Sequence, residues 1–256
     1  MTAPPLLEVR QLGRDFGGLA AVGSVDFTVA PGRIKALIGP NGAGKTTILN
    51  MVAGALPPSR GHIVFDGRAL PGSAHAVASR GVARTFQLVR PFGDMTVLET
   101  VLVGCYLRGR AGWLRSALRT PAQRREERGL RDRALEIVGA VGLEDRAGAN
   151  VTSLPYGEQR LVEVARALAT APRLLLLDEP GAGLDAAEQH RLAALVCRVR
   201  ASGVAILLVD HHIDFVLDVA DDVVVLCHGE RLAEGRPETI RRDPAVMAAY
   251  LGEDAA

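Results

Sequence analysis

The chain has 256 residues, long enough for one large α/β domain with a buried core and short for two independent ones. Its formal net charge of +1 leaves no global footprint for nucleic acid or an acidic partner, so nucleic acid is not an expected ligand. Cys105, Cys197 and Cys227 show no metal-ligand or redox spacing and read as free thiols in a reducing cytoplasm.

The start, from Met1 to Pro5, lacks the basic cluster and apolar run of a signal peptide. Apolar–polar alternation over residues 6–12 and 22–29, around Gly17-Gly18, predicts antiparallel strands. Residues 34–38 form a short apolar run that ends in a Gly-rich loop, with a helix expected from about 46 to 53. Residues 61–65 followed by Asp66-Gly67 read as a strand and tight turn. From 96 to about 142 the periodicity turns helical, with Ala134, Leu135, Val138 and Val141 on one face.

Strands return at 174–177, 204–209 and 223–226, separated by helices at about 186–201 and 212–219. This alternation predicts a parallel sheet with helices on both faces, and makes the helical stretch an insertion into an α/β core. The longest apolar runs are strand-length, well short of the about 20 residues of a membrane helix. The chain is not expected to span a bilayer by itself.

Gly39-Pro40-Asn41-Gly42-Ala43-Gly44-Lys45-Thr46 fits the G-x-x-x-x-G-K-[ST] phosphate loop between an expected strand and an expected helix. The glycines permit backbone angles that turn N–H groups onto phosphate oxygens, and the helix start adds partial positive charge. Lys45, one of only two lysines in the chain, suits the β- and γ-phosphates. The Thr46 hydroxyl suits Mg²⁺, and Thr47 is placed for the α-phosphate. Downstream, four leucines deliver Asp178, Glu179 and Pro180 to a strand end. Asp178 suits a Mg²⁺ contact. Glu179, on the alternate side, is free to polarise a water attacking the γ-phosphate.

Taken in order, the phosphate loop, Gln87, Leu154-Pro155-Tyr156-Gly157-Glu158-Gln159-Arg160, Leu177-Asp178-Glu179-Pro180, Gly183-Leu184-Asp185 and Asp210-His211-His212 resemble the nucleotide-binding subunit of ABC transporters. The resemblance runs through nearly the whole chain. It implies a P-loop ABC ATPase fold over residues 1–256: a RecA-like α/β core, an N-terminal antiparallel β layer, and a helical subdomain inserted at about 88–160. It implies ATP and Mg²⁺ as ligands and ATP hydrolysis coupled to solute movement.

Residue by residue, the resemblance places Phe16 on the adenine ring and Gln87 at Mg²⁺ or the attacking water. It places Gly157 and Glu158 in the signature that closes over the γ-phosphate of an opposite subunit. Asp185 falls in the loop coupling the two sites. His211 becomes the switch histidine, preferred over His212, which stands where the family commonly has Asp. Pro155 and Tyr156 replace the Ser and first Gly of the usual signature, so the Ser-to-phosphate hydrogen bond is absent here. His62, His75, His190 and His228 show no ligand spacing.

Three stretches resemble the ATPases of branched-chain amino-acid importers more closely: residues 81–92, the Leu-Pro-Tyr-Gly signature at 154–157, and the tail at 243–252. An Arg-rich insertion at about 107–128, with Trp113, is of the same kind. It reads first as a solvated hairpin and second as a basic amphipathic segment resting on lipid. The resemblance implies transmembrane permease subunits, a second ATPase subunit, an indirect periplasmic or extracellular solute-binding protein, and a peripheral place on the cytoplasmic face of the inner membrane. An export ATPase of the lipopolysaccharide type is the nearest rival, with non-transport ABC ATPases behind it.

Overall fold

The computed structural model describes residues 4–85, 94–106 and 121–251. The chain forms two compact units, one built from 1–84 with 173–256 and the other from 85–172.

In the first unit, β1 (Leu7–Phe16) and β2 (Leu19–Val29) form a hairpin. The expected alternation is interrupted, with Arg10 and Gln11 both exposed and three register shifts between the strands, and both strands run on to the Gly17-Gly18 turn. With β4 (Arg60–Phe65) and β5 (Arg68–Ala69) they make an antiparallel sheet of order β2-β1-β4-β5. The second sheet contains β3 (Ile34–Ile38), β6 (Val82–Arg84), β7 (Leu174–Asp178), β8 (Ala205–Val209), β9 (Asp222–Cys227) and β10 (Glu230–Gly235), in the order β10-β9-β3-β8-β7-β6. All neighbours are parallel except β9 and β10, which pair antiparallel. The expected all-parallel sheet is therefore a mixed one. Strand β10 is mostly exposed and joins β9 through a short turn, so a hairpin closes the sheet without a crossover helix.

Central strands β3, β7 and β8 are buried along their whole length, as unbroken apolar runs require. Lys35 breaks that pattern in β3. Its ammonium donates to Glu234 at 2.7 Å and lies 3.5 Å from Asp222, so the buried charge is paired. Helix α1 (Lys45–Val52) buries Ile48, Leu49 and Val52, and shares one hydrophobic core with Leu7, Leu12, Phe65, Leu176 and Leu226 from both sheets. Helix α2 (Ala74–Ser79) follows β5.

The second unit holds α3 (Val97–Tyr106), α4 (Pro121–Ala140) and α5 (Tyr156–Ala169), with 3-10 turns at Glu144–Arg146 and Val151–Ser153. Ala134, Val138 and Val141 are buried as their spacing predicts, whereas Leu135 is exposed. The remaining helices, α6 (Ala186–Ala201), α7 (Ile213–Val219), α8 (Pro237–Ile240) and α9 (Pro244–Leu251), belong to the first unit. Among the described residues, no helix is long and apolar enough to cross a membrane. Trp113 and the segment 107–120 lie outside the described residues. All three cysteines are free, with Cys105 buried.

Candidate functional site

Strand β3 ends at Ile38 and the chain turns through the phosphate loop into α1. Gly39 has φ 146°, and a Cβ there would lie 2.1 Å from the Leu226 carbonyl oxygen. Gly44 has φ 96°, and its Cβ would lie 2.7 Å from the Ala21 carbonyl oxygen. Both positions exclude side chains by conformation and by space. The loop is thus pressed between β9 and β2. Its N–H-rich face stays open, since Gly42 and Asn41 are exposed while Ala43 is buried.

Lys45 is buried, and its ammonium donates to the carbonyls of Gly39 at 2.5 Å and Pro40 at 2.7 Å. The loop therefore curls around a fixed positive charge. Helix α1 starts with no side-chain cap, which leaves its first N–H groups to an anion. Thr46 is exposed beside Lys45, and Thr47 is half-buried.

Asp178 ends β7 and is 1% exposed. Its Oδ2 accepts from Nη2 of Arg84 at 2.8 Å, while its Oδ1 is buried with no hydrogen-bond partner. Nη1 of Arg84 donates to Asn50 Oδ1 at 2.6 Å, tying the edge strand to α1. A buried carboxylate oxygen without a partner is costly unless something fills its coordination. Carboxylate and hydroxyl oxygens are the donors that a hard divalent cation prefers, so Asp178 and Thr46 are of a type that fits Mg²⁺.

Glu179 follows, with φ 45°. Left-handed backbone in a non-glycine residue stores strain of about 1 kcal/mol or more. The surroundings enforce it: the Glu179 N–H donates to Val209 O at 2.7 Å, and the Gly181 N–H donates to Asp210 Oδ2 at 3.0 Å. The sequence reading placed Glu179 on the alternate side of a strand. The backbone instead swings it out of the strand altogether.

Asp210 is fully buried and is the hub of this corner. Besides Gly181, it accepts from the His212 N–H and lies 2.9 Å from His212 Nδ1, which fixes the proton on that nitrogen. His211 is half-exposed, with Nδ1 3.8 Å from Glu179 Oε2 and 3.8 Å from Asp210 Oδ1. The two imidazoles stand 4.1 Å apart. Of the pair, His211 is the one beside Glu179.

Asp185 caps α6 in a reciprocal capping box. Its carboxylate accepts from the Glu188 N–H at 2.8 Å, and Glu188 accepts from the Asp185 N–H at 3.1 Å. Phe16 ends β1 and is 45% exposed. In the second unit, Gly157 is buried in the first turn of α5, after a Pro155 N-cap that supplies no side-chain bond. Glu158 lies 3.6 Å from Arg146. Tyr156 is exposed, with the Arg160 guanidinium 5.0 Å from its ring centroid. Gln87 lies outside the described residues.

Three residues of this geometry went unremarked in the sequence: Arg84, Asn50 and the hub role of Asp210. Arg84 is reachable only through strand pairing, since it sits opposite Leu176 and so one same-face step from Asp178.

Comparison with known proteins gives a consistent result. Residues 22–182 match a family described as ABC transporter, and residues 230–256 match one described as branched-chain amino acid ATP-binding cassette transporter. The high-affinity branched-chain amino acid transport ATP-binding protein BraF of Pseudomonas aeruginosa is 42% identical, across 97% of this chain and 98% of its own. The protein LivG of Escherichia coli K12, named for the same transport, is 41% identical with the same coverage. A crystal structure of the ADP conformation of an ATP-binding cassette of an ABC transporter superposes with a TM-score of 0.86, at 30% identity, over 98% of this chain and all of that one. The chain belongs to the ABC transporter family, as one of its ATP-hydrolysing, ATP-binding cassettes.

Proposed function

We propose that this cassette powers uptake of branched-chain or related amino acids through separate transmembrane permease subunits. The supporting observation is near full-length similarity to two cassettes named for that transport, together with a tail that matches the corresponding family. Export of lipopolysaccharide has no comparable support.

ATP binds with its phosphates on the loop from Gly39 to Thr47 and its adenine on Phe16. Lys45 exchanges its loop carbonyls for the β- and γ-phosphates. Thr46 and Asp178, with Gln87, hold Mg²⁺, which when bound neutralises phosphate charge. Glu179 polarises the attacking water. The hydrogen bonds to Val209 and Asp210 enforce the left-handed backbone that keeps this carboxylate out of the strand. His211 steadies that carboxylate and reaches the γ-phosphate. Gly157 and Glu158, at the start of α5, close over the γ-phosphate of a second ATPase subunit, and Asp185 couples the two sites. Closure and reopening move the permease at the cytoplasmic face of the membrane, and a solute-binding protein acts indirectly from the other side.

The test is reconstitution of the chain with its membrane partners in proteoliposomes. Uptake of radiolabelled leucine, isoleucine or valine that needs ATP and disappears with Glu179→Gln supports the reading. ATP-driven movement of another solute class, with none of these three, overturns it.

A further inference from the structure

We propose that Arg14 is a positioning residue for adenine recognition, acting through Phe16; this rests on the reading of Phe16 as the aromatic that stacks on the base. Arg14 and Phe16 are two apart at the end of β1, where the register with β2 shifts beside Arg14. The Arg14 guanidinium carbon lies 4.8 Å from the Phe16 ring centroid. Arg14 is itself held from beyond, since Nη1 donates to the Pro57 carbonyl at 2.9 Å. Between them, Asp15 takes two bonds from Arg60, at 2.7 and 3.2 Å, and the Asp15 N–H donates to Ser59 Oγ at 3.1 Å. The end of β1 is thus clamped at Arg14 and Asp15 while Phe16 stays exposed.

The clamp sits beside the phosphate loop. Gly44 abuts the Ala21 carbonyl, and Phe16 pairs with Leu19, two residues away on β2. That separation is about 7 Å along a strand, close to the span of a ribose between phosphates and base.

The guanidinium has a specific effect on such a ring. A cation on one π-face draws electron density toward itself, so the opposite face becomes a better partner for the electron-rich adenine. It also fixes the ring's rotamer before the nucleotide arrives. Packing alone does not explain the pair. Phe16 remains nearly half exposed, and Arg14 Nε is buried with no hydrogen-bond partner. A surface contact that strands a polar atom gives folding little in return.

The test uses the full-length chain and displacement of a ribose-labelled fluorescent ADP, by ADP and by inorganic tripolyphosphate. Tripolyphosphate occupies the loop but carries no base. Arg14→Ala is expected to weaken ADP about fivefold while leaving tripolyphosphate within about twofold of the parent. Arg14→Lys should recover part of the loss. Phe16→Ala should weaken ADP further, and Arg14→Ala added to it should do nothing more, because the arginine acts through the ring. Parent-like ADP affinity in Arg14→Ala, alongside a weakened Phe16→Ala, overturns the role of Arg14 and leaves that of Phe16 standing. Equal loss for both ligands in Arg14→Ala also overturns it, since the arginine then serves the phosphates or the fold. An unchanged ratio of the two ligands in Phe16→Ala removes the stacking reading and this one with it. Should Arg14→Ala fail to fold, Arg14→Lys decides alone: ADP weakened about twofold with tripolyphosphate unchanged supports the proposal, and parent-like ADP overturns it.

Discussion

Arg84 and Asp178 form a buried ion pair at 2.8 Å, in which one carboxylate oxygen is taken and the other is left without a partner. The arginine stabilises a charge that would otherwise stand alone in the apolar end of β7, yet takes only one of its two oxygens. Removing one partner of such a pair leaves an uncompensated buried charge. Arg84→Ala is expected to lower unfolding stability by about 3 kcal/mol. Asp178→Asn introduced with it should restore much of the loss, since the charge goes too. Urea unfolding of both variants checks this, and a double variant as unstable as Arg84→Ala contradicts it.

Glu179→Gln keeps shape and removes the carboxylate. Nucleotide should still bind, with turnover down at least about a hundredfold. Lys45→Ala should instead lose binding, because the phosphate charge loses its partner. Nucleotide affinity and steady-state turnover separate the two, and parent-rate turnover in Glu179→Gln removes that residue from its role.

The two neighbouring histidines should behave differently. His211→Ala removes the imidazole beside Glu179 and is expected to lower turnover by about a hundredfold. His212→Ala removes a bond to Asp210 and the ring beside His211, and should stay within about tenfold of the parent, by loosening the Gly181 turn. A reversed order in the ATPase assay assigns the switch to His212.

Pro155 and Tyr156 remove a hydroxyl from the signature, but N–H groups at the start of α5 remain for a phosphate. A hydrogen bond to a charged group contributes about 1.5–3 kcal/mol, so its loss weakens closure without abolishing it. Pro155→Ser should retain or raise ATP turnover in the assembled transporter, and Gly157→Asp should nearly abolish it. An active Gly157→Asp transporter shows that this surface does not close over ATP.

Glu163 is buried on α5, and desolvation pushes its carboxyl above the ordinary carboxylate range against the pull of Arg166 and Arg160. The folded chain therefore holds this proton more tightly than the unfolded chain does. Below the ordinary carboxylate pKa both states are protonated and nothing is lost. As pH rises beyond it, the unfolded state ionises freely and stability falls. Glu163→Gln, which still accepts from Arg166, should raise the melting temperature at pH 7.5 by about 3 °C, with the gain shrinking toward pH 4. A lower melting temperature at pH 7.5 would show that the arginines need the charge.

Much of this is legible in the amino-acid sequence. The phosphate loop carries its own local chemistry, and four leucines before two carboxylates read as a buried strand that ends at the C-terminal edge of the sheet. Strand β10 was missed because Glu230–Gly235 is polar on both faces and owes its place to pairing with β9. Strand β6 is three residues long, too short for any periodicity. The left-handed turn at Glu179 was invisible for a different reason. No residue preference asks for it there; Val209 and Asp210, distant in sequence, impose it. Arg14, Arg84 and Asp210 likewise act through partners that only the fold brings near.

The placement of β3 has a consequence for how the protein comes into being. This strand precedes the phosphate loop, yet its two sheet neighbours, β8 and β9, lie in the last quarter of the chain, and Gly39 packs on the backbone of Leu226. On the ribosome, Lys45 and its loop emerge while most of the chain is still untranslated. The contiguous unit of 85–172 has its own partners at hand and can gather first. The first unit must keep an unpaired apolar strand until synthesis is nearly finished, a non-local closure that slows folding. The sheet that holds the phosphate loop is therefore among the last parts of the molecule to be completed.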